Sequence, residues 1–403
     1  YRNDGNGGFE EVGIGSGIVS FFNYGGSAAS FADYDADGDV DLYASIFGTF
    51  DRFYADVGAA QFGVSEVGNE GDAVGITSGD YDNDGDLDVY VINQSRRSTL
   101  SRNDLETSAF VDVGEESGTE NLALGAGCAF GDFDADGDLD LFVVNGGSAD
   151  RVFMNRGDGS FVDMAAAFGM ADTSWAWAVT LADYDNDGDL DVYVVNERSA
   201  NRLYDNRSNH NNWLQVGLRG VESNTEALSA RLQLYAGERA WTRVVNATSG
   251  MSHSSRVVHF GLGQTTRLDS LLVQWPRGLT ERFVDVPVNS RLAVVEGQVL
   301  TAVQETTGDV PGAFALASNF PNPFNAETSI HYKVGVAGMV RLEVFNTLGQ
   351  KIRGLVEGES GPGSYEVLWN GRDDAGQVVG SGVYFYRLQS GGKVLMRSLV
   401  LLK

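Results

Sequence analysis

Four nine-residue stretches of this chain carry an aspartate at every odd position and a glycine at the sixth. They are Asp33, Asp35, Asp37, Asp39 and Asp41 around Gly38; Asp80, Asp82, Asp84, Asp86 and Asp88 around Gly85; Asp132, Asp134, Asp136, Asp138 and Asp140 around Gly137; and Asp183, Asp185, Asp187, Asp189 and Asp191 around Gly188. Carboxylates at positions one, three, five and nine, folded inward by a glycine free to turn left-handed, make an oxygen cage for a hard cation. Calcium is the best candidate, with about four Ca2+ ions expected, one per loop. Position seven is expected to coordinate through its backbone carbonyl and to leave its side chain outside. An EF-hand is excluded, because position twelve is Ala44, Val91, Val143 or Val194 instead of a bidentate glutamate, and it lies in a strand pattern.

The elements that must position these loops are strands. Each loop follows a small-residue segment (AASFADYD, VGITSGDYD, GCAFGDFD, AVTLADYD) and precedes a β-branched and aromatic run (VDLYASIF, LDVYVIN, LDLFVVN, LDVYVVN). A weaker element, RNDGNGGF at Arg2 to Phe9, recurs as NRGDGSF at Asn155 to Phe161 and supplies a further turn and outer strand. The loops start 47, 52 and 51 residues apart. A repeat of about 50 residues holding roughly four strands predicts β-propeller blades.

Composition bounds the rest. The 403 residues carry a net charge of −28, which disfavours nucleic acid and anionic membrane surfaces as partners, and no apolar run reaches the length of a membrane span. Residues 1–209 hold 40 acidic and 10 basic side chains, and residues 210–403 hold 16 and 18. All four lysines, Lys333, Lys351, Lys393 and Lys403, lie in the second part. That step places a domain boundary near residue 210. The single cysteine, Cys128, cannot form an intramolecular disulfide and reads as a buried small hydrophobe. With extracellular-type affinities each loop would gain about 1–2 kcal/mol from calcium by mass action. Four loops together would approach a whole domain's stability of about 5–15 kcal/mol, so calcium would decide folding and imply a calcium-rich, extracellular setting.

The repeat, over residues 1–209, resembles the FG-GAP/VCBS family of calcium-binding propeller blades, which implies a loop between a blade's first two strands. Residues 210–300, through Trp213 to Gly220, Ser223-Asn224, His259 to Gly263 and Val273 to Gly278, resemble the ASPIC/UnbV domain of the cartilage acidic protein family and related bacterial proteins. Where that family tends to carry Gly-Ile-Gly-Ala, this chain reads Ala227-Leu-Ser-Ala230. Residues 318–403, through Asn319 to Asn325, Val344 to Gly349, Gly363 to Tyr365, Trp369 to Gly371, Ser381 to Leu388 and the terminal Leu399 to Lys403, resemble the C-terminal sorting domain of Por, or type IX, secretion. This resemblance implies delivery to the outer cell surface or medium of a Bacteroidetes-type bacterium, with the type IX machinery as a partner. By pattern alone the segment gives about seven short strands in a small β-sandwich, and residues 301–317 read as a linker.

The expected fold class is therefore all-β: propeller blades, a small β domain and a C-terminal Ig-like sandwich. No HExxH, CxxC, GxSxG or GxxxxGK[ST] motif occurs, and no catalytic residue is nominated. His253 and His259 read as ordinary strand and turn residues in preference to metal ligands. Trp175, Trp177 and Tyr24 read as blade-core packing in preference to a ligand contact. The expected role is binding or adhesion to an extracellular protein or glycan; a secreted polysaccharide hydrolase or lyase, or a purely structural module, are the other readings. The start at Tyr1, inside a repeat element, suggests a fragment of a longer propeller, with a compact four- or five-blade closure as the alternative.

Overall fold

The computed structural model describes residues 2–3, 8–18, 26–58, 61–68, 70–105, 107, 109–207, 211–245, 252–253, 256–298, 301–303, 315–316, 319, 324–325, 327–346, 350–391 and 393–401. Its regular structure is nearly all strand, and no described helix is long and apolar enough to cross a membrane. Two compact units emerge, residues 1–305 and 306–403.

The first unit opens with blades. Blade one is the antiparallel sheet Gly26–Ala32, Asp41–Ile46, Asp51–Asp56 and Phe62–Val67. Blade two is Ala73–Gly79, Asp88–Asn93, Thr99–Asp104 and Ala109–Asp112. Blade three is Gly125–Gly131, Asp140–Asn145, Arg151–Asn155 and Phe161–Asp163. Blade four has three strands of this kind, Trp175–Ala182, Asp191–Glu197 and Arg202–Tyr204; its fourth member, Ser252–His253, pairs in parallel with Val179–Thr180 on the opposite side of the sheet.

First strands of successive blades lie side by side, which explains their small residues: a crowded inner strand leaves room for Ala, Gly and Ser. Each first strand carries a bulge at the same place, between Gly26 and Ala28, Ala73 and Gly75, Gly125 and Gly127, and Ala176 and Ala178. The acidic loops join first and second strands, as the pattern predicted.

Residues 212–303 form two further four-stranded sheets in the same unit. One orders Val257–Gly263, Asn212–Arg219, Ser290–Val295 and Thr301–Val303; the other Arg239–Val244, Arg231–Ala236, Ser270–Gln274 and Thr280–Phe283. Leu214, Leu232, Trp241, Phe260, Leu271 and Trp275 fill the core between them. Pairing of Thr301–Val303 with Arg291–Ala293 carries this β domain into the stretch read as linker.

The second unit is a sandwich of seven strands: Ala315–Leu316, Thr328–Val334 and Gly363–Trp369 in one sheet, Lys351–Ser360, Gly338–Asn346, Gly382–Ser390 and Lys393–Leu401 in the other. Trp369, Phe324, Tyr384, Leu342 and Leu399 share its core, so four residues from the stretches that carry the sorting-domain resemblance, Phe324, Trp369, Tyr384 and Leu399, are packing anchors. Ala315–Leu316, at the end of the supposed linker, is also a strand of this sandwich.

Candidate metal centres

Each acidic loop turns by alternating handedness. Position four has positive φ in every copy (Ala36 58°, Asn83 56°, Ala135 54°, Asn186 64°), and so does the position-six glycine, near 100°. Two left-handed residues flanking one whose φ is not positive curl the loop so that alternate side chains converge. Only the glycine was anticipated; Asn or Ala at position four carries little signal.

Carboxylates gather in threes, one oxygen from each within 4.8 Å of the others: Asp33, Asp35 and Asp41; Asp80, Asp82 and Asp88; Asp132, Asp134 and Asp136; Asp183, Asp185 and Asp191. Not all the predicted carboxylates converge. Position five mostly serves the loop itself: Asp37, Asp84, Asp136 and Asp187 accept the position-seven N–H at 2.9–3.0 Å.

Position nine works as a structural staple. Asp140 accepts the N–H of Phe133 and the N–H of Asn155, both at 2.8 Å, joining the loop's start to the end of the third strand. Asp41 does the same for Tyr34 and Asp56, Asp88 for Tyr81 and Asn103, and Asp191 for Tyr184 and Asn206.

The side chain at position seven, expected outside, is turned inward in three of the four loops. Asp86 and Asp189 are buried, and Asp138 is partly buried. The carboxylate of Asp138 accepts from Asn83 Nδ2 of the preceding blade at 2.6 Å, and that of Asp86 from the Leu105 N–H at 2.9 Å. For Asp138 the cause is blade-on-blade packing, which a single repeat does not reveal; only Asp39 stays exposed.

Burial governs the electrostatics. Desolvation, with Asp84 and Asp82 adding to it and Arg243 opposing it, pushes Asp80 up to about 7. Desolvation likewise takes Asp132 up to about 8, Asp82 to about 6 and Asp41 to about 7, and raises Asp88 and Asp140 well above the usual carboxylate range. Neither carboxylate oxygen of Asp80 meets a donor at hydrogen-bonding geometry among the described residues, the Gly85 N–H giving only weak electrostatic relief, although the residue is 1% exposed. Asp82 Oδ1 and Asp33 Oδ1 are likewise unmatched. A buried carboxylate left this way is strongly destabilising, and a bound cation is the kind of group that would satisfy it. The donor set, all carboxylate oxygen, fits calcium.

The β domain grips the loops through Arg231, Arg243 and Gln215, which the sequence reading passed over, and through His259, which it read as an ordinary strand or turn residue. Arg231 donates to the carbonyl of Gly85, Arg243 to that of Gly137 at 3.1 Å, and His259 Nε2–H to that of Gly188 at 2.8 Å. The Gly261 N–H and Gln215 Nε2 donate to Asp132 and Asp183 at 3.0 and 2.5 Å. The guanidiniums of Arg231 and Arg243 also set positive charge beside the carboxylates of Asp33 and Asp80. His259 is therefore a buried loop contact, held neutral with its pKa lowered to about 4, chiefly by burial. His253 sits in the short strand on blade four, and Tyr24 lies outside the described residues.

Cys128 is fully buried, as expected. Trp175 and Trp177 are not core: they are 46% and 37% exposed, while Ala176 between them is buried. The inner strand buries the small residue and leaves both indoles on the other face; Trp177 Nε1 donates to Glu197 at 3.0 Å.

Residues 80–143 and 132–194 match the FG-GAP-like repeat family, and residues 220–301 match the ASPIC and UnbV family. Human cartilage acidic protein 1 is 37% identical over 114 residues, 28% of this chain and 17% of the human protein; the mouse protein is 35% identical over the same share of each. The chain thus matches less than a fifth of the length of these curated relatives. A solved structure of PorZ, a surface component of the type IX secretion system of Porphyromonas gingivalis, aligns over 93% of this chain and 59% of its own at 12% identity, with a TM-score of 0.26, too loose to indicate a shared fold. The chain carries FG-GAP-like repeats followed by an ASPIC/UnbV domain.

Proposed function

We propose that this is an extracellular or cell-surface calcium-binding repeat protein, in which cations in the four acidic loops hold the blades and the β domain together to present a binding surface for a protein or glycan. The observation that carries this reading is Asp80, buried beside Asp82 and Asp88 with both oxygens unmatched. Exposed Trp175 and Trp177 supply aromatic contact area of the kind that ligands use. The sandwich of residues 306–403, with Phe324, Trp369 and Tyr384 at its core, supports a type IX sorting role through the resemblance of that segment. The activity proposed is binding, not catalysis.

The test uses the full chain. Native mass spectrometry in millimolar calcium is expected to count about four ions, and thermal unfolding is expected to shift down by ten degrees or more in chelator. No bound ion and no shift would overturn the reading.

A further inference from the structure

Between blades two and three, Phe161 from the fourth strand of blade three sits against Tyr81 of the preceding acidic loop, ring centroids 5.7 Å apart, within a cluster that includes Tyr90, Leu100, Leu139 and Leu141. Between blades one and two, Phe110 occupies the same seat against Tyr34 at 6.1 Å. In both fourth strands the sequence is Phe-Val-Asp, residues 110–112 and 161–163. Phe110 pairs with Asn103 and Phe161 with Asn155, the next-to-last and last residues of their third strands. Both aspartates bind an arginine of the third hairpin region, Asp112 with Arg97 and Asp163 with Arg151 at 2.7 Å.

Between blades three and four the corresponding seat is a cavity of about 480 Å3. Phe133, Phe142, Val152, Leu190, Val192 and Tyr204 line it, standing 51 or 52 residues after Tyr81, Tyr90, Leu100, Leu139, Leu141 and Phe153. The chain leaves blade four after Asn206 and enters the β domain at Asn212 instead of adding a fourth strand. Arg202–Tyr204 is the outer edge of its sheet among the described residues, with Leu203 and the nearby Phe168 about half exposed. Arg202, 51 residues after Arg151, stands at that edge, 54% exposed and paired with Asp172.

We infer that this groove takes an extended segment of a partner protein, added antiparallel to Arg202–Tyr204, with an aromatic side chain opposite Asn206 filling the cavity and an acidic residue two positions later near Arg202. The chain's own blades two and three show what fits: a strand reading Phe-Val-Asp, held by main-chain hydrogen bonds and one aromatic anchor. This names a ligand class and a surface for the binding role proposed above and rests on that reading for the role alone. Peptide binding and ion count are read separately, so the two ideas can fail separately even though Phe133 and Leu190 of two acidic loops line the groove.

The probe is a fluorescent peptide of residues 157–165, GDGSFVDMA, titrated against the full chain in calcium and in chelator. Saturable anisotropy is expected in calcium, weakened at least tenfold when the peptide phenylalanine becomes alanine or when Met154→Trp fills the cavity from the protein side. Hydrogen exchange at Arg202–Tyr204 is expected to slow on peptide addition, a readout that needs no protein variant. Equal binding of the alanine peptide, no binding at millimolar concentration, or protection elsewhere would overturn the proposal. So would protection of the same strand by concentration-dependent dimerisation without peptide, which would make a second copy the occupant. Peptide binding in calcium with no ion bound would leave the groove standing and sink the calcium reading instead.

Discussion

The side-chain amide of Asn155, in blade three, donates to the backbone carbonyl of Tyr81, in the acidic loop of blade two, at 2.8 Å. Two blades are joined through a residue that each blade repeats. Asn103 reaches the carbonyl of Tyr34 and Asn206 that of Phe133, both at 2.7 Å. Each of these asparagines also gives its own N–H to the position-nine aspartate of its blade. The first three acidic loops are thus each tied to the following blade by a hydrogen bond as well as by any cation they hold. Blade one has Asp56 at this place, whose side chain has no N–H to donate.

Asn155→Ala is therefore expected to destabilise the first unit by about 2–3 kcal/mol, since it strips buried donors from the carbonyls of Tyr81 and Leu139. Asp56→Asn is expected to change stability by less than about 0.5 kcal/mol. Chemical denaturation of the two variants compares them directly; equal effects would mean the amide contacts contribute nothing.

Asp80→Asn is expected to act with opposite sign in the two states. In chelator it removes a buried carboxylate with no hydrogen-bond partner and raises the unfolding temperature. In calcium it removes a ligand charge, lowering that temperature and the ion count by about one. A change of the same sign in both buffers would show that Asp80 does not touch the cation.

A pH dependence free of the loops comes from Asp150. Burial raises it to about 7, against the lowering effect of the Asn145 N–H it accepts at 2.8 Å. Its folded pKa lies above its unfolded value near 4, so the stabilisation belongs to the protonated form: it is complete below about pH 4 and is lost as pH rises through 7. Asn201 occupies the same place in blade four and accepts the Asn196 N–H with a neutral amide oxygen. Asp150→Asn should accordingly leave stability near pH 4.5 little changed and raise it by about 1–3 kcal/mol at pH 8. Denaturation midpoints across that range check the slope.

Blades and loops were legible in the sequence because both are periodic: four copies of an Asp-Gly pattern at near-constant spacing carry their own register, and strand alternation frames them. The Asn103, Asn155 and Asn206 series has a fixed offset of fifteen from the position-nine aspartate, but a lone asparagine before a turn carries no signal until its partner is seen. Trp175 and Trp177 misled because large aromatics on an inner strand imply a core, whereas close neighbours left room only for Ala176. The grip of Arg231, Arg243 and His259 on the loop glycines joins residues 71 to 146 apart in the chain, with no periodicity to announce it. Where the fourth strand of blade four should be, the sequence simply changes domain, and only the packed structure shows that its seat stays open.

The stretch Ala227-Leu-Ser-Ala230 departs from the glycines of the domain it resembles, and its backbone keeps the conformation glycine would favour. Ala227 has φ of 51° and Ser229 of 71°, both left-handed, where a Cβ costs about 1 kcal/mol or more. The turn is nonetheless imposed: Ala227 and Ala230 are buried in the domain core, and Ser229 donates its N–H to the carbonyl of Val245 at 2.9 Å. The surrounding sheets therefore hold two strained residues in place. Ser229→Gly should relieve that strain without opening a core cavity, and stabilise the first unit by about 0.5–1 kcal/mol once the extra freedom of glycine in the unfolded chain is subtracted. Ala227→Gly should gain less, because it also removes a buried methyl. If both variants lower the denaturation midpoint, the left-handed turn carries no strain, and the departure from glycine at these two positions has no energetic cost.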